Sequence, residues 1–263
     1  MPYRIDVRDP PDDALDRLVE LGVLDIEPVG IGLAALVPDT VPVKTVAIAL
    51  GGTDVQVSAA SGRDDESVWM LAPRPVRTRT LLIVPDVHPP EAGALRLVDG
   101  PAFGTGLHAT TALCLAAIED LLEAGAPARM LDIGTGSGVL ALAALKCGTG
   151  YAFGLDTDAD AIAVAARNAS LNDLAGRLWL VRGGPEAIRG SWPLIVANIR
   201  AAELMAMSAT VVRLMARRGH LLLSGIPKSV APDVLRTYSR LGMHQVRLME
   251  RDAWTALMLT PSW

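Results

Sequence analysis

The sequence predicts an α/β protein, a doubly wound sheet of parallel strands that follows a small α+β unit. Strands and helices alternate from about residue 129 onward, and this alternation produces a parallel sheet with helices on both faces. A glycine-rich turn joins an apolar strand at 129–133 to a helix at 139–146, which is the opening unit of a Rossmann-like sheet. The first sixty residues have the pattern β-α-β-β-α-β, which is the order of a ferredoxin-like unit.

The composition excludes several classes of protein. The chain has 263 residues and is 51% apolar, which is enough for one large domain or two smaller ones. No apolar run is long enough to span a bilayer, and the N-terminus lacks the apolar segment of a secretory signal, so we expect a cytoplasmic protein without membrane contact. The cysteines, Cys114 and Cys147, lie in helical apolar patterns and are expected to be reduced. The four histidines show no metal-ligand spacing, and no particular oligomeric state is predicted.

Charge is distributed unevenly along the chain. The net charge of −5 argues against direct binding to nucleic acid, which normally requires a basic face. Residues 1–100 carry a net charge of −7 and residues 101–263 carry +2. An acidic first part could attract a basic protein partner, although ordinary solubility explains the same asymmetry equally well.

The first hundred residues predict a small domain and a connection. Strands are expected at 3–7, at two places within 24–37, and at 54–59, with helices at 10–21 and 43–50. Residues 61–66 are polar and indicate a linker, and short strands are expected at 81–84 and 95–98. The predicted domains are therefore 1–60, a connecting segment at 61–100, and a main domain at 101–263.

The main domain continues the alternation after the glycine turn. Strands are predicted at 151–156, 178–181, 194–197 and 220–224, and helices at 112–122, 158–171, 201–215 and 230–241. Asp158 is expected to cap its helix. The last two strands, 245–249 and 255–259, follow each other directly, which suits an antiparallel hairpin at the edge of the sheet.

The spacing of the glycines points to one cofactor. The pattern is Asp132-x-Gly134-x-Gly136-x-Gly138, whereas dinucleotide-binding folds use GxGxxG to accommodate a pyrophosphate. GxGxG with an acid two residues upstream is the form found in S-adenosylmethionine-dependent methyltransferases. The upstream carboxylate of Asp132 suits the ammonium group of the cofactor, and some other Rossmann-like domain is the alternative.

Two strand ends add polar groups to this edge of the sheet. Asp156 ends the strand after the glycine turn, where a carboxylate can bind ribose hydroxyls, and Thr157 follows it. Asn198 ends the fourth strand, and its amide can accept a hydrogen bond from an amine. Asn198 could equally be a residue that turns the chain.

A glycine- and threonine-rich segment, residues 101–111, precedes the helix predicted at 112–122. Because it comes just before the cofactor strand, it can fold over the cofactor, and Phe103 and Thr105 belong to it. Thr110 or Thr111 could instead cap the helix. His108 is equally compatible with a loop histidine bonded to a backbone carbonyl.

Several motifs together resemble the PrmA family, whose members methylate ribosomal protein L11. They are AFGTGLHATT, LDIGTGSGVLALAALKCG, GLDTDADAI, VANI and LLLSGI, in the order and spacing of that family over nearly all of residues 101–260. The first hundred residues resemble its substrate-recognition domain in layout only. The resemblance implies that S-adenosylmethionine is held by Thr111, Gly134, Asp156 and Asn198, with Phe103 and Thr105 in the loop that closes over it.

The resemblance implies a Rossmann-like methyltransferase sheet and an enzyme that methylates amino groups of a protein, either lysine or the N-terminal amine. Ribosomal protein L11 is then the expected substrate, and Asn198 the expected catalytic residue. The chain departs from the family pattern at Leu107, Ala109, Gly184, Pro193 and Arg200. Alternatives are a related methyltransferase for another protein or a small molecule, and a non-catalytic or NAD-type binding protein.

Overall fold

A computed structural model describes residues 1–29, 31–60, 62–63, 68–69, 74–98 and 108–263. The chain divides into two compact units, Met1–Pro73 and Arg74–Trp263. The domain limits predicted from the sequence lie at residues 60 and 100. In the structure the boundary between the two units instead falls at residue 73. Ile83 and Leu95, from the predicted connecting segment, belong to the second unit because they share a hydrophobic core with its helices.

The first unit contains a four-stranded antiparallel sheet and two helices in the predicted order. Its elements are β1 (Tyr3–Arg8), α1 (Ala14–Glu20), β2 (Asp25–Val29), β3 (Gly32–Val37), α2 (Val43–Ala49) and β4 (Val55–Ala59). The strand order is β2-β3-β1-β4. Alternate residues of β1 and β3, such as Ile5 and Ala35, are buried together with Leu18 of α1, as the period of two along a strand requires. Helix α1 begins four residues later than predicted. The two-residue strands β5 (Gly62–Arg63) and β6 (Val68–Trp69) form an antiparallel pair.

The second unit begins with a three-stranded sheet, β7 (Val76–Arg77), β8 (Leu82–Pro85) and β9 (Leu95–Leu97). The rest follows the predicted alternation. Its elements are α3 (Ala109–Glu123), β10 (Arg129–Ile133), α4 (Val139–Lys146), β11 (Tyr151–Asp156), α5 (Ala159–Leu171), β12 (Leu178–Arg182), a 3-10 turn (Pro185–Ala187), β13 (Trp192–Asn198), α6 (Ala201–Ala206), α7 (Ser208–Arg213), β14 (Met215–Pro227), α8 (Ala231–Ser239), β15 (Met243–Arg251) and β16 (Trp254–Pro261).

The central sheet has seven strands in the order β12-β11-β10-β13-β14-β16-β15. Strands β12, β11, β10, β13 and β14 run parallel to one another, and β16 is antiparallel to both β14 and β15. The predicted α/β sheet and terminal hairpin are confirmed, with β15 at the edge and β16 inserted beside β14. The sheet separates two cores: Met130 of β10 faces one, and its neighbours Leu131 and Ile133 face the other.

In the second unit, two predicted helices differ from the structure by more than two residues. Helix α3 begins at Ala109 rather than at residue 112. The single helix predicted at 201–215 is two short helices, because Met207 leaves helical geometry with φ −92° and ψ 1°. The hydroxyl of Ser208 donates to the carbonyl of Met205 at 2.8 Å, which competes with helical pairing at this break. In the described part of the chain, no helix is both long and apolar enough to cross a membrane.

Candidate functional site

The glycine turn between β10 and α4 requires glycine for two separate reasons. Gly134, Gly136 and Gly138 have φ values of 71°, 53° and 81°, a region that other residues rarely adopt. A Cβ on Gly134 would also lie 2.2 Å from Cγ2 of Ile199, just after β13. The turn is tied to β11 because the amides of Gly134 and Thr135 both donate to the carbonyl of Leu155 at 2.8 Å.

Asp156 ends β11 beside this turn. Its Oδ2 accepts the amide of Gly136 at 2.9 Å, and its Oδ1 accepts the amide of Asp158 at 3.0 Å. The half-buried carboxylate therefore stands at the carboxyl edge of the sheet, where ligands of open α/β sheets bind. Thr157 follows with an exposed side chain, and its carbonyl accepts from Nε of Arg182 at 3.2 Å.

Asp132 lies under the turn and is only 1% exposed. Its Oδ2 accepts the hydroxyl of Thr135 at 2.8 Å, while Oδ1 has no hydrogen-bond partner among the described residues. Burial raises the pKa of Asp132 to about 7; the hydrogen bond from Thr135 and the backbone of Ala141 oppose this rise, and the charge of Asp156 adds to it. The buried Oδ1 is therefore an acceptor available to a cationic ligand.

Asn198 and Thr111 meet at the same edge of the sheet. Nδ2 of Asn198, at the end of β13, donates to Oγ1 of Thr111 at 3.4 Å, and Thr111 is fully buried in the first turn of α3. Oδ1 of Asn198 is buried and has no partner within the described residues. One turn along α3, burial raises the pKa of Cys114 to about 12, so this thiol stays neutral and is no nucleophile.

His108 occupies the N-cap position of α3. Its Nδ1 accepts the amide of Thr110 at 3.3 Å and lies 2.7 Å from the Thr110 hydroxyl. The ring also makes an edge contact with Trp254, with 5.2 Å between centroids. The suggestion that Thr110 or Thr111 caps this helix is therefore wrong, because both lie inside its first turn. The predicted loop residues Phe103 and Thr105 lie outside the described residues, as does the departure at Leu107.

The remaining departures from the family pattern fit their local structure. Ala109 is the first residue of α3. Pro193 lies where the pairing of β13 with β14 shifts register, a position that suits a residue without an N–H group. Gly184 precedes the 3-10 turn, where a Cβ would lie 2.5 Å from the Glu186 carboxylate. Arg200 is exposed at the N-cap position of α6.

One polar side chain that contacts the turn belongs to no motif and is not predicted from the sequence. Nδ2 of Asn168, in the middle of α5, donates to the carbonyl of Ser137 at 2.8 Å. The one local signal is an asparagine on the buried face of a helix, because asparagine is disfavoured in helix interiors. Within the described ranges, no group of three or more His, Cys, Asp or Glu is arranged to hold a metal ion.

Comparison with known proteins identifies the family. A sequence profile described as "Ribosomal protein L11 methyltransferase (PrmA)" matches residues 38–261, so the similarity begins well before the motifs at 101. The protein named ribosomal protein L11 methyltransferase in Geobacter sulfurreducens is 38% identical to this chain, over 81% of this chain and 72% of that protein. In Chromohalobacter salexigens the identity is 39%, over 78% of this chain and 69% of that protein.

A solved structure gives the same result. The crystal structure of ribosomal protein L11 methylase from Lactobacillus delbrueckii subsp. bulgaricus is 28% identical, with a TM-score of 0.66, over 72% of this chain and 98% of that chain. The profile match spans well over half of the sequence. The seven-stranded sheet and the glycine turn described above lie within the matched residues. The chain belongs to the ribosomal protein L11 methyltransferase (PrmA) family.

Proposed function

We propose that the protein transfers a methyl group from S-adenosylmethionine to an amino group of ribosomal protein L11. The observation that carries this proposal is the clustering of three features at one edge of the sheet. These are the glycine turn after β10, the carboxylate of Asp156 after β11, and the amide of Asn198 after β13. Membership of the family supports the same reaction.

The polar groups of the site fit this cofactor. The buried Oδ1 atoms of Asp132 and Asn198 both lack a partner among the described residues, and buried polar atoms normally have one. A carboxylate suits the ammonium of the methionine part, and Asp156 suits ribose hydroxyls. The residues that we propose to bind the cofactor are Phe103, Thr105, Thr111, Asp132, Gly134, Gly136, Asp156, Thr157 and Asn198.

When bound, S-adenosylmethionine supplies a methyl group on a sulfonium sulfur, which is already a strong electrophile. The contribution of the chain is then to position the amine in line with that methyl group. A lysine amine has a pKa near 10.4 in water and arrives protonated, so burial beside a positive charge must lower its pKa and release the proton to solvent. Oδ1 of Asn198 can accept an N–H of the neutral amine and orient its lone pair. Neither a general base nor a covalent intermediate is required.

We further propose that the first unit is a ferredoxin-like domain that recognises the substrate. Two observations support this: its strand order, β2-β3-β1-β4, and its charge. Residues 1–73 contain 13 Asp or Glu and 5 Lys or Arg, a net charge of −8. Such a surface attracts a basic protein, and ribosomal proteins bind RNA through basic surfaces. A ribosomal substrate also implies that the enzyme works in the cytoplasm.

Methyl transfer from labelled S-adenosylmethionine tests the proposal. The label should enter purified ribosomal protein L11, and one protein band of that size in a cell extract. Asn198→Ala should lower the rate strongly at an unchanged unfolding temperature, and the wild-type rate should rise with pH until the amine is neutral. Label that enters a different protein or a small molecule would contradict the assigned substrate. A normal rate in Asn198→Ala would make this residue a turn residue only.

A further inference from the structure

Helix α5 supplies the missing hydrogen-bond partners of β9. This strand pairs with β8 on one side. On its other side, Asn172 accepts the amide of Arg96 at 2.8 Å through Oδ1 and donates to its carbonyl at 2.7 Å through Nδ2. Two residues further, just after the end of β9, the amide of Val98 donates to Oδ1 of Asn168 at 2.7 Å. The two asparagine side chains thus take the place of a neighbouring strand, which satisfies a buried strand edge.

Asn168 alone extends this pairing to the glycine turn. Its Nδ2 donates to the carbonyl of Ser137 at 2.8 Å, between Gly136 and Gly138. Besides its bond to the Arg96 carbonyl, Nδ2 of Asn172, the C-cap residue of α5, donates to the carbonyl of Asn168 at 2.7 Å and does not reach the turn. One turn before Asn168, the Cβ of Ala165 lies 3.2 Å from where a Cβ on Gly138 would stand. Helix α5 therefore packs directly against the turn.

The side chain of Asn168 is fully buried and uses its amide oxygen and its amide nitrogen on different segments. Of the side chains of this size, an amide provides both the acceptor and the donor. Aspartate of equal shape keeps the acceptor for Val98 and loses the donor for Ser137. Removing the Asn168 N–H group from that carbonyl takes away one constraint on a turn whose three glycines have positive φ and would otherwise adopt other conformations easily.

We propose that Asn168 is a positioning residue for cofactor binding: it fixes the Ser137 carbonyl, and with it the glycine turn that bonds Asp156 through the Gly136 amide. This proposal rests on the function proposed above, because it takes the turn to be the binding site of S-adenosylmethionine. It assigns no contact between Asn168 and the cofactor itself. The effect should therefore fall on cofactor affinity and not on the chemical step.

The matched pair Asn168→Asp and Asn172→Asp tests the inference in the full-length protein. Both variants make the same chemical change at buried positions four residues apart, Asn168 within α5 and Asn172 at its C-cap. Both keep the acceptor for the backbone of β9 and the residue after it. Calorimetric titration with S-adenosylmethionine should give a Kd raised about tenfold in Asn168→Asp, which corresponds to about 1.4 kcal/mol. The Kd of Asn172→Asp should stay within about twofold of wild type, while both unfolding temperatures fall by similar amounts.

Methylation kinetics provide a second readout that a merely structural role would not produce. In Asn168→Asp, the KM for S-adenosylmethionine should rise about as much as the Kd, whereas kcat at saturating cofactor should remain within about twofold of wild type. If the aspartate variants do not fold, the pair Asn168→Ala and Asn172→Ala carries the same comparison without an added charge.

Three outcomes overturn the inference. Equal Kd values for the two variants would reduce Asn168 to a stabilising residue like Asn172. A loss confined to kcat would contradict positioning of the cofactor. A wild-type protein that does not bind S-adenosylmethionine would remove the proposed function and this inference together, so the wild-type titration distinguishes the two failures.

Discussion

Replacing Asp132 with asparagine should stabilise the folded protein while weakening its site. Burial raises the pKa of Asp132 to about 7 in the folded state, against about 3.9 in an unfolded chain. Between these values the folded state binds more protons than the unfolded state, so stability decreases as the pH rises from about 4 to 7. Asparagine keeps an oxygen for the Thr135 hydroxyl and carries no charge at any pH.

The size of the effect follows from these pKa values. A difference of about three, at 1.36 kcal/mol for each pKa unit, destabilises the wild type by about 4 kcal/mol above pH 7. The new amide N–H group of the variant finds no partner where Oδ1 of Asp132 has none, which costs about 1–2 kcal/mol. We therefore expect Asp132→Asn to be about 2–3 kcal/mol more stable than wild type at pH 8. This advantage shrinks as the pH falls, and near pH 4 the variant should be about 1–2 kcal/mol less stable than wild type, because only the cost of the unpaired amide remains.

Urea unfolding of both proteins at several pH values between 4 and 8 measures this difference directly. Calorimetry on the same samples should show weaker binding of S-adenosylmethionine by Asp132→Asn, because the variant lacks the charge that we assign to the cofactor's ammonium. A stability difference that does not vary with pH would refute the titration of Asp132 in the folded protein. Unchanged cofactor affinity would show that this carboxylate does not face the ligand.

Three further changes test other parts of the structure. Asp156→Ala should raise the Kd for S-adenosylmethionine ten- to a hundredfold, since a charged hydrogen bond contributes about 1.5–3 kcal/mol, whereas Asp160→Ala, at an exposed position in the first turn of α5, should leave it unchanged in calorimetry. Burial acts to raise the pKa of Glu119, but hydrogen bonds from Thr78 and Thr80 outweigh it and hold that pKa below its usual value. Glu119→Gln should therefore lower the free energy of unfolding by about 1–3 kcal/mol at pH 7, and this deficit should shrink as the pH falls through the carboxyl's pKa; a deficit constant down to pH 3 would contradict this account. A fragment of residues 74–263 should fold and bind S-adenosylmethionine with wild-type affinity, as measured by circular dichroism and calorimetry, and failure to fold would show that the two units form one domain.

The central sheet could be predicted from the sequence because its signals are local. The strand at 129–133, the turn and helix α4 were predicted with the bounds that the structure has, since an apolar run, three glycines and a second apolar run follow one another directly. The cap at Asp158 is confirmed as well: its Oδ1 accepts the amide of Asp160 at 2.9 Å. Each of these features depends on residues at most a few positions apart.

Features that depend on distant partners were predicted less well. Strands β8 and β9 were assigned to a connecting segment, because three or four apolar residues do not reveal which core they join. Arg96 of β9 bonds Asn172, which is 76 residues away, and Val98 just after the strand bonds Asn168, which is 70 residues away. The start of α3 was missed for a different reason, since histidine is not among the side chains that usually cap helices and the threonines that follow it are.

The same distinction explains which site residues the sequence could predict. Asp156 and Asn198 end parallel strands, and the carboxyl ends of such strands meet at one edge, so a strand assignment alone brings these residues together. Asn168 lies in the middle of a helix, and its role follows only from knowing that α5 packs against the turn that begins α4. In our proposal, residues of this second kind position the backbone that contacts the cofactor. Their substitution should therefore change cofactor affinity without removing any group that touches the cofactor, and sequence motifs alone will not identify them.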